Sequence, residues 1–266
     1  MFNLIKADLK RIFRGKGIWI TIGLFLLMTG MNTSVLYNNI EGQQMGGITI
    51  TAGEMRDDNF DDVDIVGGNI PQLMMGNAEV ILLFSLPLII FIAATDFGSG
   101  TVKNVLASGA SRLQYYTSKL ILCWLLTLVL YFVHLTIPTL VITLANGFGD
   151  SFAYGTIGAF WGQILFVLAF TALGIFLTFA TKKSVAFMGF YLAIMFLPPI
   201  VIALLSQIND RFINLIRYDL VHNFIGFADY TAHPTDYVIR AVLIGFIVLF
   251  ASMIGGFALF RKTEIK

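Results

Sequence analysis

Residues 96–119 read DFGSGTVKNVLASGASRLQYYTSK, set between AEVILLFSLPLIIFIAAT at 78–95 and LILCWLLTLVLYFVHLTIPTLVITLA at 120–145. A helix needs about 20 apolar residues to cross the hydrocarbon core, and a backbone in lipid satisfies its own polar groups only as a helix or a closed barrel. Both flanks therefore read as membrane helices, and the stretch between them as a short polar connection outside the lipid. Gly98, Gly100 and Gly109 mark turns in it, and the segment from Thr101 to Ser108 has room for two helical turns. Ser111 and Gln114 fit the S-x-x-Q capping box, which starts the next helix before it enters lipid. The predicted order is span, short transverse helix, span. Ser99 or Thr101 would cap the transverse helix, Val102, Val105 and Leu106 would form an apolar ridge, and Lys103 and Asn104 would make polar contacts. A helix of two turns is not stable alone, so something is expected to hold it.

The rest of the chain repeats the pattern. Of its 266 residues 57% are hydrophobic and 12% charged, against about 25% charged in ordinary soluble domains. That balance excludes a soluble domain. Six apolar segments qualify as spans, 17–36, 78–95, 120–145, 152–180, 184–206 and 238–260, which makes the fold class all-α integral membrane. Pro87, Pro138 and the Pro198-Pro199 pair are expected to kink the second, third and fifth. The first apolar run is too long for a secretory signal and has no A-x-A-like site after it, so it is expected to stay. Cys123 is the single cysteine and can form no internal disulfide.

Orientation follows from Lys and Arg. All but Arg56, Arg211, Arg217 and Arg240 of the 17 fall in the N-terminal arm, the 96–119 connection, the Lys182-Lys183 pair and the C-terminal tail, so both termini are expected in the cytoplasm. Residues 1–16 place Phe2, Ile5, Leu9, Ile12 and Phe13 at helical spacing, with Lys6, Lys10, Arg11 and Arg14 largely on other faces. This reads as an interfacial helix on the inner leaflet, in contact with membrane lipids. The 37–77 segment is an acidic outside loop, and its run Asp57 to Asp64 lacks the glycine and terminal glutamate of a calcium loop. Residues 207–237 alternate apolar and polar and suggest short amphipathic helices at the outer interface.

Here the 96–119 residues carry a likeness. An acid and an aromatic (Asp96, Phe97), two small residues, then Gly100, Thr101, Val102, Lys103, Asn104, Val105 and Leu106 are followed by a turn with Ser108 and Gly109, by Ser111-Arg112, and by Ser118-Lys119-Leu120. This resembles the first intracellular loop of ABC-2-type permeases, the membrane subunits of ATP-binding-cassette exporters. The likeness to the subgroup of bacitracin-resistance and lantibiotic-immunity permeases is weaker. Where the family often has Glu this chain has the shorter Asp96.

The resemblance implies a fold like that of type V exporters and a single permease domain over 1–266. It also implies a transverse helix that serves as a coupling helix for a separate ATPase subunit, with Asp96, Thr101, Val102, Lys103, Asn104, Val105, Leu106, Ser108 and Arg112 at that interface. A second permease, identical or a sibling, would complete the pathway in a bacterial plasma membrane. No cofactor is implied on this chain: it has no G-x-x-x-x-G-K-[ST] loop, so ATP and Mg would sit on the partner. The cargo implied is an amphipathic peptide or a hydrophobic antimicrobial compound, and no partner role with nucleic acid is implied.

A different class remains open, a standalone secondary transporter or channel driven by an ion gradient. It would need charges inside the membrane, for which Glu79, His134 and Gln163 are the polar candidates. The competing reading makes His134 a neutral side chain bonded to a neighbouring helix, lets Glu79 snorkel at the outer end of its span, and makes Gln163 and Asn146 interhelical hydrogen-bond formers. Gly158, Gly162, Gly174, Gly255 and Gly256 read as close helix contacts. No arrangement of Ser, His, Asp or Cys makes a credible catalytic site, so an enzyme is not expected.

Overall fold

Hydropathy places the six long helices. The computed structural model describes residues 2–40 and 66–262, with side chains for 2–35 and 66–262. Among them there is no strand, and six helices are long and apolar enough to cross a membrane. The arm is α1 (Phe2–Arg14), which turns at Gly15 into the first span, α2 (Lys16–Ile40). The acidic run 57–64 and Lys266 lie outside the described residues.

The second span is built from three pieces: α4 (Glu79–Ile89), a π-helical turn (Ile90–Ala94) and α5 (Thr95–Gly98). Pro87 has no amide hydrogen to close the ladder onto Leu83, and the chain re-spaces its bonds just beyond it as a π turn. Pro138 behaves differently and stays inside the 35-residue α7 (Arg112–Asn146); Pro198 and Pro199 stay inside α9 (Ser184–Ser206). At 1.5 Å per residue α7 is about 50 Å long, well beyond a hydrocarbon core of about 30 Å. It begins at the expected capping box: Ser111 Oγ accepts from the Gln114 amide at 3.1 Å, and Gln114 Oε1 accepts from the Ser111 amide at 3.1 Å.

The fourth span, α8 (Thr156–Thr181), is the centre of the bundle and packs against α4, α7, α9 and the last span, α11 (Thr235–Lys262). Its small residues explain that position. A Cβ at Gly162 would lie 1.8 Å from the Phe227 ring, and one at Gly174 would lie 2.5 Å from Ile89 Cδ1, so neighbouring side chains occupy the space that any larger residue needs. By contrast α9 and α11 turn most of their apolar surface outward.

Two short elements close the end of the bundle at the α7–α8 connection. The first, α3 (Ile70–Met75), lies in what composition shows as a loop, and Ile70, Met74 and Met75 are nearly inaccessible. Pro71 in its first turn has a pre-set φ suited to starting a helix. The strand of chain before it is pinned to the α7–α8 connection, with Gly67 donating to Gly147 O at 2.9 Å and Gly68 to Phe148 O at 2.8 Å. The second follows an amphipathic 3₁₀ segment (Asp210–Tyr218): it is α10 (Leu220–Gly226), continued by a further 3₁₀ segment (Phe227–Ala232). These are the short helices expected in 207–237. Asp219 caps α10 by accepting from the His222 amide at 2.8 Å; burial raises its carboxyl above the ordinary value, and that hydrogen bond opposes the shift.

Candidate functional site

The connection 96–119 folds as its glycines dictate. Gly100 has φ 69° and Gly109 φ 95°, left-handed values that cost a residue with a Cβ, and between them lies α6 (Thr101–Ala107). One expectation is corrected: neither Ser99 nor Thr101 caps α6. Gly100 is the N-cap, its carbonyl accepting from the Lys103 and Asn104 amides, while the Ser99 and Thr101 hydroxyls pair with each other at 2.8 Å.

The apolar ridge turns inward. Val102 is 2% exposed, and Val105 and Leu106 are half-buried against the chain's own core, so what steadies this short helix is first of all its own protein. The face left open consists of Lys103, Asn104, Ala107 and Ser108. Arg112 Nη1 donates to the carbonyls of Phe260 and Arg261, each at 2.8 Å, and so satisfies carbonyls near the C-terminal end of α11. Beneath the loop, Phe97, Tyr115, Tyr116 and Phe260 all pack around the Phe179 ring, with centroids 4.7–6.2 Å away.

Asp96 is fully buried and belongs to a closed ring of alternating charge. Arg11 Nη1 donates to Asp96 Oδ1 at 2.5 Å; Lys119 Nζ donates to Asp96 Oδ2 at 2.6 Å and to Asp8 Oδ2 at 2.6 Å; Arg11 Nη2 returns to Asp8 Oδ1 at 3.1 Å. Each carboxylate thus spends one oxygen on Arg11 and the other on Lys119. Tyr115 adds an O–H bond to Asp96 Oδ2 at 2.7 Å. Arg11 Nη2 also points at the carbonyls of Phe91 and Ile92 in the π turn, both 3.4 Å away. The ring is neutral in sum, which is what lets two acids and a lysine lie almost out of reach of solvent. Mechanically it fastens α1, the end of the second span and the start of α7 to one another, directly beside α6.

Sequence reasoning placed Asp96 at a surface and missed the ring. A signal existed: Asp8 is the only acid in a basic arm and sits between Ile5 and Ile12 on the arm's apolar side, where an acid is costly unless paired.

The three polar candidates inside the spans do not form one site. His134 Nε2 lies 3.2 Å from Met74 O and its Nδ1 3.4 Å from the Thr29 hydroxyl; since a carbonyl only accepts, Nε2 carries a proton, and both ring nitrogens are engaged by neighbouring helices. Gln163 donates Nε2 to Met75 O at 2.9 Å and to Phe224 O at 2.8 Å, and accepts from the Tyr131 hydroxyl at 2.9 Å. Together these two residues hold the C-terminal carbonyls of α3, and Gln163 ties α10 to the same point. Glu79 stands apart in the first turn of α4.

Six helices long and apolar enough to cross a membrane, a basic amphipathic arm and a small helix mounted on the connection between two of them define a multi-pass membrane protein. A family model described as "ABC-2 family transporter protein" matches residues 2–245. The chain belongs to that family and is the membrane subunit type of an ATP-binding-cassette transporter, which associates with an ATP-binding subunit. Comparison with curated proteins finds no match.

Proposed function

We propose that this protein is the permease of an exporter in which α6 is the coupling helix, docking through Lys103, Asn104, Ala107 and Ser108 into a separate ATPase subunit that carries ATP and Mg. A second permease, the same chain or a sibling, completes the pathway, and both termini face the cytoplasm of a bacterial cell. The observation that carries this reading is the mounting of α6: a helix too short to stand alone is fixed by Val102 and lies beside a buried charge ring, while its polar face is left open. The cargo read from the family likeness is an amphipathic peptide or hydrophobic antimicrobial. A cleft of about 330 Å³ near the outer ends of α7 and α8, walled by Met75, Phe132, Leu135, Phe152 and Phe160, supports a cargo with an apolar part.

The docking test uses the open face. Lys103→Glu combined with Ala107→Trp should abolish co-purification of the ATPase while membrane insertion and thermal stability stay as in the wild type; normal assembly would sink the assignment of α6. Substituting Val105 or Leu106 would confuse docking with folding, because both pack on the chain's own core. Orientation is checked separately with an impermeant thiol reagent on a Cys123→Ser background. Cysteine at Asp150 should label from outside and cysteine at Lys183 only after permeabilisation; the reverse pattern overturns the topology. Transport in reconstituted vesicles should persist when proton and sodium gradients are collapsed, which separates this reading from a gradient-driven carrier.

A further inference from the structure

Helix α1 packs one face into the protein and leaves another, made of cations, open. At about 100° per residue, Ile5, Asp8, Leu9 and Ile12 share the side that packs inward, where Ile12 is 5% exposed. Next round the helix come Phe2 and Phe13, both exposed. Beyond them, within an arc of about 80°, stand Lys6, Lys10 and Arg14, all exposed and none with a carboxylate partner among the described residues. Arg11 completes the circuit and leads back to the charge ring. Trp19, itself exposed, closes the α1–α2 corner with its indole N–H on Phe13 O at 3.0 Å and its ring 5.8 Å from Phe13.

That order selects the occupant. A soluble acidic partner would meet the cations but would leave the aromatic edge beside them without a match. A bilayer surface takes both at once: rings at the acyl boundary, ammonium and guanidinium groups among the headgroups, tryptophan at the interface. Anionic headgroups supply the charge that Lys6, Lys10, Arg14 and Lys16 do not find among the described residues.

We propose that the Lys6–Lys10–Arg14 face of α1 is a docking surface for anionic phospholipid headgroups of the cytoplasmic leaflet, and that leaflet charge reaches the coupling loop through Asp8 and Arg11, which join the same helix to Asp96. The surface stands on the geometry of α1; its transmission arm rests on the role given to α6 above.

The binding arm needs no ATPase. The purified full chain in detergent is titrated with phosphatidylglycerol, phosphatidylcholine or inorganic phosphate while thermal unfolding is followed, for the wild type and for Lys6→Gln/Lys10→Gln/Arg14→Gln. Phosphatidylglycerol alone should raise the unfolding temperature of the wild type, with a loss on the order of 10-fold or more in its affinity for the triple variant. An equal response to phosphatidylcholine, or an undiminished response in the variant, overturns the docking surface; a response to phosphate alone overturns a lipid as occupant. The second arm measures ATPase turnover of the assembled transporter in vesicles with and without phosphatidylglycerol. Stimulation in the wild type and none in the triple variant, at equal co-purification of the ATPase, is the expected result. Loss of co-purification in the variant would make α1 a contact for the ATPase instead and overturn the proposal. If α6 itself is misassigned, the first arm still succeeds while the second shows no stimulation in either protein, and the transmission claim falls alone.

Discussion

Asp96→Ala should destabilise the purified protein by about 3 kcal/mol, the low end of what removing one partner from a buried ion pair costs. The low end applies because Lys119, 2% exposed, keeps Asp8 at 2.6 Å, while Arg11 is part-exposed and recovers hydration. The Tyr115 hydroxyl also loses its acceptor. Thermal unfolding in detergent gives the measure, and the informative comparison is the double variant Asp96→Ala/Lys119→Met. It removes one charge of each sign, leaves Asp8 with Arg11, and should recover more than half of the loss. Equal stability of wild type and Asp96→Ala would mean that the ring contributes nothing to the fold. Because Asp96 borders α6, the single variant should also uncouple the ATPase at temperatures where the protein remains folded.

Gln163→Leu should cost about 2 kcal/mol. Each unpaired buried polar group costs about 1–3 kcal/mol, yet hydrogen bonds inside membranes average about 0.6 kcal/mol, and Met75 O keeps a backbone bond from Ala78 at 3.3 Å. The sharper outcome is an ordering. Gln163→Glu retains an acceptor for Tyr131 but turns a carboxylate toward the carbonyls of Met75 and Phe224, so at neutral pH it should be less stable than Gln163→Leu despite its closer likeness to glutamine. If the glutamate variant is the more stable, the carbonyls are not what Gln163 serves. Either variant should raise labelling of a cysteine at Ile70, which is now inaccessible.

Much of this was legible in the residues. Spans follow from hydropathy, and the start of α7 from Ser111 and Gln114, because both signals are local. What escaped depends on distance in the chain. No periodicity reveals that Asp8 meets Lys119, so Asp96 reads as a surface acid until four residues from three segments converge on one point. The inward turn of Val102 was hidden for the same reason: an apolar ridge on a short helix states that something covers it, not which chain does. In α3 the sequence IPQLMM is too short to stand out from a Gly-rich loop, and its burial depends on His134 and Gln163, whose polarity drew attention to transport chemistry rather than to carbonyls needing donors.

The charge ring also sets an order of events during synthesis. Asp8 and Arg11 are made first, and Lys119 comes 111 residues after Asp8. At about 5–20 residues per second, Asp8 waits on the order of ten seconds for Lys119 while two spans enter the membrane, and Asp96 reaches Arg11 earlier in that interval. The ring cannot close until the third span begins to emerge, so a nascent chain stalled between Asp96 and Lys119 would hold its arm to the second span through Arg11 alone, with Asp8 still lacking its lysine.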